Sequence, residues 1–246
     1  MRSIPAAPAN RLLAELRPHD FELLASRLRP FALKQGAMLQ EQGMPIEDVY
    51  FPVSGLLSLV TVMASGDMLE MAMIGREGAI GLFTGHGNWR AFARAMVQLP
   101  GVAMVMPAAQ FQEAALRSEP IKDLVLRYKE MLLGQVTQTA ACNALHSLEA
   151  RLARWLLETN DHVNGARLTL TQDLISQMLG TRRTSVTLVA GKLQEQGLIQ
   201  YRRGNITILD RTGLESTACE CYGIMRRQTE ALFDRSDAQH ASLAQA

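Results

Sequence analysis

Leu168-Thr-Leu-Thr-Gln-Asp-Leu-Ile-Ser-Gln-Met-Leu-Gly-Thr-Arg-Arg-Thr-Ser-Val-Thr-Leu-Val189 spaces two short amphipathic helices around Gly180 and predicts a helix-turn-helix. Thr171 stands where an N-cap hydroxyl is wanted, Leu170 and Ile175 flank it like a hydrophobic staple, and Leu174, Met178 and Leu179 form a buried stripe. Gly180 then supplies the turn. A second helix starting near Thr181 buries Val186, Val189, Ala190 and Leu193, which turns Arg182, Arg183, Thr187 and Leu188 outward. From Gln196 to Leu209 apolar and polar residues alternate about a Gly204-Asn205 turn, so a β-hairpin follows as a wing with Arg202 and Arg203 at its tip.

This segment is basic inside a nearly neutral chain. Arg182, Arg183, Lys192, Arg202 and Arg203 outnumber Asp173 and Glu195, whereas the 246 residues together carry a formal net charge of +1. The pattern predicts binding to double-stranded DNA. Arg182 and Arg183 suit bidentate hydrogen bonds to guanine edges, while Thr184, Thr187 and an exposed Leu188 suit thymine methyl groups. Thr171, Ser185, Arg202 and Arg203 are placed for phosphates. Leu188 has a second reading, as a packing residue against the wing.

Upstream, short apolar runs separated by Gly, Pro and Asp extend from about Phe31 to Met106, the signature of an antiparallel β-barrel or jelly roll. Pro120 suits the first turn of a helix, and no proline interrupts the chain from there to Thr159. One helix of 40 residues would be roughly 60 Å long, enough to form a dimer seam through Leu124, Tyr128, Met131, Gln135, Gln138, Cys142, Leu145 and Leu152. The polar middle of that seam, with Thr139 and Asn143, has two readings: it fixes the register of a homodimer, or it reaches a ligand under the barrel. The expected division is a β-barrel sensor domain at 1–118, a dimerisation helix at 119–160, a winged domain at 161–235 with a hinge at 161–166, and a polar tail at 236–246.

A β-barrel, a long helix and a winged helix-turn-helix in this order resemble the Crp/Fnr superfamily of bacterial transcription regulators, an α+β architecture with a cyclic-nucleotide-binding-like sensor. The resemblance rests on Gly36-x-x-Leu39 with Gly43, on Val49-Tyr-Phe-Pro-Val-Ser-Gly55, and most specifically on Gly180 followed by Arg182-Arg-Thr-Ser-Val186. It implies a homodimer on a palindromic site, a small-molecule effector, and contact with RNA polymerase. It also implies base reading from the positions of Arg183, Thr184 and Leu188, the last two being commonly Glu and Arg in the family. Family members that bind cyclic nucleotides carry Gly-Glu-Leu and Arg-Ser-Ala elements; here Ile80-Gly81-Leu82 and Ala93-Arg94-Ala95 stand in their places. A shifted anion site would draw on Gly81, Leu82, Arg90 and Arg94, with Gln135 and Thr139 from the helix; the competing and favoured reading of the arginines is as surface residues. Oxygen sensors of the family hold an iron–sulfur cluster with N-terminal cysteines, and none precedes Cys142 here.

Other classes find little support. The three cysteines do not make a disulfide framework, no apolar run reaches about 18 residues, and the first residues lack a signal-peptide core, so a cytoplasmic location is expected. Cys219-Glu-Cys221 lacks zinc-knuckle spacing and the five histidines are scattered, so neither a metal site nor a cofactor is expected. Cys142 reads as buried packing or as one half of a symmetric disulfide. No catalytic set emerges, and an enzyme is not expected. The competing class is a ligand-binding adaptor whose winged domain docks on a protein.

Overall fold

The computed structural model describes residues 9–82, 90–163 and 168–234. Two short helices, α1 (Arg11–Ala14) and α2 (Pro18–Ala25), open the chain, the first capped by Asn10. Then come β1 (Arg29–Leu33), β2 (Met38–Gln40), β3 (Asp48–Val62), β4 (Met68–Ile74) and β5 (Arg94–Pro107). All pair antiparallel, in the order β1-β5-β3-β4 with β2 also on β5. Apolar runs expected as separate strands merge into the long β3 and β5, whose pairing shifts register between Pro52 and Leu57. There Gly55 (φ +81°) lies against the backbone of Leu99 and Pro100, where no side chain fits, and these bulges bend the sheet into the β-roll.

A helix α3 (Ala108–Arg117) leads into α4 (Glu119–Leu145), whose N-cap Ser118 accepts from the Ile121 amide at 3.3 Å and donates to buried Asp20 at 2.6 Å. The single helix expected over 119–160 is two. His146 adopts an extended conformation, and Ser147 caps a new helix, α5 (Leu148–His162), by accepting from the Ala150 amide.

The winged unit follows: β6 (Leu168–Thr169), α6 (Gln172–Met178), α7 (Arg183–Glu195), β7 (Ile199–Arg202) and β8 (Asn205–Ile208), then α8 (Arg211–Thr217) and α9 (Cys221–Phe233). Its sheet runs β6-β8-β7. Leu152, Trp155 and Leu156 of α5 lie in one apolar cluster with Ile175, Val186, Leu193 and Ile206, so α5 belongs to this unit, which begins a helix earlier than 161. Of the hinge expected at 161–166, Asp161 and His162 are the last residues of α5 and 164–166 lie outside the described residues, as does the tail after Asp234.

The same cluster includes Leu56 and Val60 of β3 and Leu99 of β5, with Met68 and Met73 of β4 packed against it, so the winged unit is seated on the five-stranded sheet. Trp155 Nε1 donates to Glu70 of β4 at 2.5 Å, and Gln98 donates to Thr159 at 3.3 Å. At the edge of this contact His162 pairs with Glu77 at 3.3 Å. Among the described residues no helix is long and apolar enough to cross a membrane.

Burial pushes the Glu70 carboxyl up to about 7, against partial compensation from Ser58 and Trp155. The folded protein therefore holds this proton more tightly than the unfolded chain, and the associated stability is present below the ordinary carboxylate range and lost as pH rises through about 7. Glu70→Gln should be more stable than the parent at about pH 8 by on the order of 1–3 kcal/mol, with the difference shrinking towards about pH 5. Urea denaturation at both pH values checks this; a difference independent of pH would contradict it.

Candidate nucleic-acid interface

The local chemistry of the helix-turn-helix follows the sequence closely. Thr171 accepts from the Leu174 amide at 3.2 Å, and Leu170 and Ile175 are both fully buried on either side of that cap. Gly180 takes φ +58° and meets Leu69 of β4, so the turn is also a contact with the sensor. α7 begins at Arg183, with Arg182 in the cap position, and buries Val186, Ala190 and Leu193; Val189 is half-buried.

The opposite face of α7 is open. Arg182, Arg183, Thr184, Thr187 and Leu188 are exposed, and Ser185 is half-buried beside them. Leu188 is 75% exposed, so it does not pack against the wing. Arg183 lies 3.4 Å from Asp173 with both side chains about two-thirds exposed, a contact that water and salt weaken and that leaves the guanidinium free to turn outward. Thr187 is held more firmly: its hydroxyl hydrogen-bonds Gln172 at 2.8 Å and its own helix at Arg183 O. Such an array of fork donors and methyl groups matches what major-groove edges present.

The wing differs from expectation by one residue. Its turn is Arg203-Gly204, with φ +51° and +75°, rather than Gly204-Asn205. Two positive φ angles in succession make a type I′ turn, which suits the twist of a hairpin. Among the described residues Arg203 alone of the non-glycines has a positive φ, a conformation that costs an L residue about 1–2 kcal/mol. Arg202 and Arg203 are both exposed, and Gly204 O accepts from the Leu170 amide at 2.8 Å, which fixes the tip against the entry to α6.

The expected effector residues do not assemble. Arg94 is neutralised by Glu41 at 2.8 Å, its hydrogen bonds holding that carboxyl below the ordinary range, and Arg90 donates to Gly43 O at 2.7 Å. Gly81 and Leu82 are buried in the roll, Gly81 with its backbone against Asp48. Gln135 and Thr139 lie elsewhere, in a polar cleft of about 490 Å³ between β4, α4, α5 and α9 whose walls include Glu70, Arg154 and Glu158. Gln135 also donates to Thr229 of α9 at 3.0 Å. Arg90 and Arg94, expected at an anion site, thus each have a local acceptor already.

The expected dimer seam also faces the wrong way. Leu124, Tyr128, Met131 and Cys142 are buried within the chain, Tyr128 donating to Ala79 O at 2.8 Å, while Gln135 and Gln138 meet α9; of the expected seam Leu145 alone is strongly exposed. Leu152 is in the winged core. The outward stripe of α4 is Leu126, Glu130, Leu133, Thr137, Ala140 and Ala144. A further correction concerns the cysteines. Cys219 precedes α9 while Cys221 begins it, so the two do not diverge as residues two apart in one helix do, and they meet Cys142 and His146.

Comparisons with known proteins agree with this geometry. A cyclic nucleotide-binding domain profile matches residues 30–118, and a Crp-like helix-turn-helix domain profile matches 150–217. The chain is similar to the global nitrogen regulator of Synechococcus elongatus, 25% identical over 208 residues covering 79% of this chain and 93% of that one. It is also similar to the global nitrogen regulator of Synechocystis, 28% identical over 179 residues covering 68% and 78%. In three dimensions it resembles a Crp/Fnr-family transcriptional regulator from Eubacterium rectale (TM-score 0.68, 20% identity, 85% of this chain and 98% of that one). FixK2 from Bradyrhizobium japonicum is similar to the same degree (TM-score 0.67, 17% identity, 78% and 98%). With a cyclic nucleotide-binding domain and a Crp-like helix-turn-helix domain in one chain, the protein belongs to the Crp/Fnr superfamily of transcription regulators.

Proposed function

We propose that this regulator binds a palindromic DNA site as a homodimer and reads it with the outward face of α7. The observation that carries the reading is that Arg182, Arg183, Thr184, Thr187 and Leu188 are all exposed on one helix whose other face is buried, next to exposed Arg202 and Arg203 on the wing. Arg183 and Arg182 supply base-edge donors, Thr184, Thr187 and Leu188 apolar contacts, and Thr171, Ser185, Arg202 and Arg203 phosphate contacts. With Thr184 and Leu188 where the family commonly has Glu and Arg, the site read differs from the usual family one, with more A·T character at the Leu188 contact. The left-handed Arg203 supports a functional role, because Asn or Gly would make the same turn at less cost.

The partner chain is met through the outward stripe of α4. Leu126 and Leu133 are 58% and 66% exposed and stand one heptad apart, with Ala140 a heptad further on. A 27-residue helix with large apolar residues at one end and small ones at the other suits a coiled-coil seam that closes towards the DNA-binding end. Two-fold symmetry then sets the reading helices about 34 Å apart, one turn of the duplex. A ligand in the polar cleft would touch β4 and α5 together, and would alter DNA affinity by the difference in its affinity for two placements of the reading head.

Arg183→Ala should cost about 1–3 kcal/mol on the preferred sequence and relax preference at one base step, whereas Arg203→Ala should weaken all sequences alike and shallow the salt slope by about one. Equal losses on every sequence for both variants would refute the assignment. Leu133→Glu should leave the thermal midpoint of the monomer fold nearly unchanged, shift sedimentation from dimer to monomer, and weaken palindrome binding by roughly 100-fold or more. A Leu133→Glu protein that sediments as a dimer would place the seam elsewhere.

A further inference from the structure

We propose that Cys142, His146, Cys219 and Cys221 form a closed tetrahedral site for one zinc ion, which clamps the C-terminal helix to the junction of α4 and α5. The ligand atoms of these four residues all lie within 4.8 Å of one another. Cys142 Sγ is 3.5 Å from Cys219 Sγ, and Cys221 Sγ is 3.5 Å from His146 Nδ1. A zinc ion with Zn–S about 2.3 Å and Zn–N about 2.0–2.1 Å has tetrahedral edges of roughly 3.8 Å between sulfurs and 3.6 Å between sulfur and nitrogen. The two separations of 3.5 Å are close to those edges, and the 4.8 Å bound on the others is within small side-chain adjustments of them. They leave room for a single ion and not for a cluster with bridging sulfides, whose terminal thiolates stand farther apart.

The topology delivers the ligands without strain. Cys142 and His146 are four residues apart at the end of α4, on one face, and His146 begins the extended break that frees its side chain. Cys219 lies in the turn before α9 and Cys221 is its first residue. The cysteines are nearly inaccessible, at 0%, 8% and 0% exposed, which suits a structural site.

The surroundings complete the donor set. His146 Nε2 lies 3.3 Å from the Glu220 carboxylate, so with Nδ1 turned to the thiolates the other ring nitrogen has its acceptor, the carboxylate–histidine–metal arrangement. Gln138 donates to Cys221 Sγ at 3.0 Å. Three thiolates and a dication leave one negative charge, and Arg151 and Arg154 of α5 lie close enough to Cys142 to feel it. With four protein ligands no coordination position is open, so the ion would hold structure and perform no chemistry.

What it would hold is specific. α9 runs along α4 through Gln135–Thr229, Gln138–Cys221 and the Arg127 guanidinium on Leu232 O, and closes one side of the polar cleft. The ion would fasten the start of α9 to the point where α4 ends and the reading head begins.

Full-length protein without an affinity tag, purified under reductant from zinc-supplemented cells, should contain about one zinc per chain by elemental mass spectrometry. Exchange into cobalt should give the thiolate charge-transfer band and the intense red d–d bands of a tetrahedral sulfur-rich site. Cys142→Ser and Cys219→Ser should each lose most of the metal. Because these variants also perturb packing, the cobalt spectrum of the parent is the deciding readout. Protein that holds less than about a tenth of an equivalent of zinc and shows no tetrahedral cobalt spectrum would overturn the proposal. So would a Cys142–Cys219 disulfide in metal-free native protein, or iron with acid-labile sulfide at the site.

Discussion

The seat of Trp155 on the sensor sheet is the constraint from which the placement of the reading head follows. Trp155 is 1% exposed, donates to Glu70 of β4, and lies in a cluster that includes both sheet residues and the cores of α6 and α7. An indole of this size buries area worth a few kcal/mol, and its N–H needs an acceptor when dry. That acceptor is an acid which burial keeps near neutrality. Any change that moves β4 relative to α5 must break this contact or carry the whole helix-turn-helix with it.

The chain therefore links its sensor to its DNA-binding surface twice, by α5 against β4 and by α9 against α4. The second link sets Leu232 and Phe233 of α9 in the apolar cluster that holds Leu124, Tyr128 and Leu132 of α4, and adds hydrogen bonds along the helices, the cysteine–histidine group at the other end, and the Arg11–Glu230 pair to α1 at 2.9 Å. The polar cleft lies between the two links and borders both. In that arrangement the polar residues in the middle of the inward face of α4 meet α9 and the cleft.

The winged half was legible because its signals are local. Caps, staples and turn glycines act within a few residues, and Thr171, Ile175 and Gly180 were placed correctly from spacing alone. The one-residue error at the wing came from assigning the left-handed position to Asn205 when Arg203 takes it. No proline marks the break in the long helix; its signal is His146-Ser147 before a leucine-rich run, with Ser147 as the N-cap. Which face of α4 points outward depends on α9, 80 to 100 residues away, and no local pattern encodes that. The cysteine site was missed for the same reason: its two halves are 73 residues apart at their nearest, and Cys142-x-x-x-His146 paired with Cys219-x-Cys221 becomes a signal once a helix end is recognised at each. Arg94 and Arg90 show the converse, since a charge suited to a ligand was already matched by Glu41 and a backbone carbonyl.

In the proposed regulator α7, presented by a symmetric pair of chains, reads DNA by sequence. The most direct test of this is selection of bound duplexes from a random pool by the purified protein at two salt concentrations. The account predicts an enriched palindrome whose half-site centres are about 10 base pairs apart or a multiple of that, retained at the higher salt. Enrichment of nothing beyond general duplex affinity, vanishing as salt rises, would contradict it and favour a winged surface that docks on another protein.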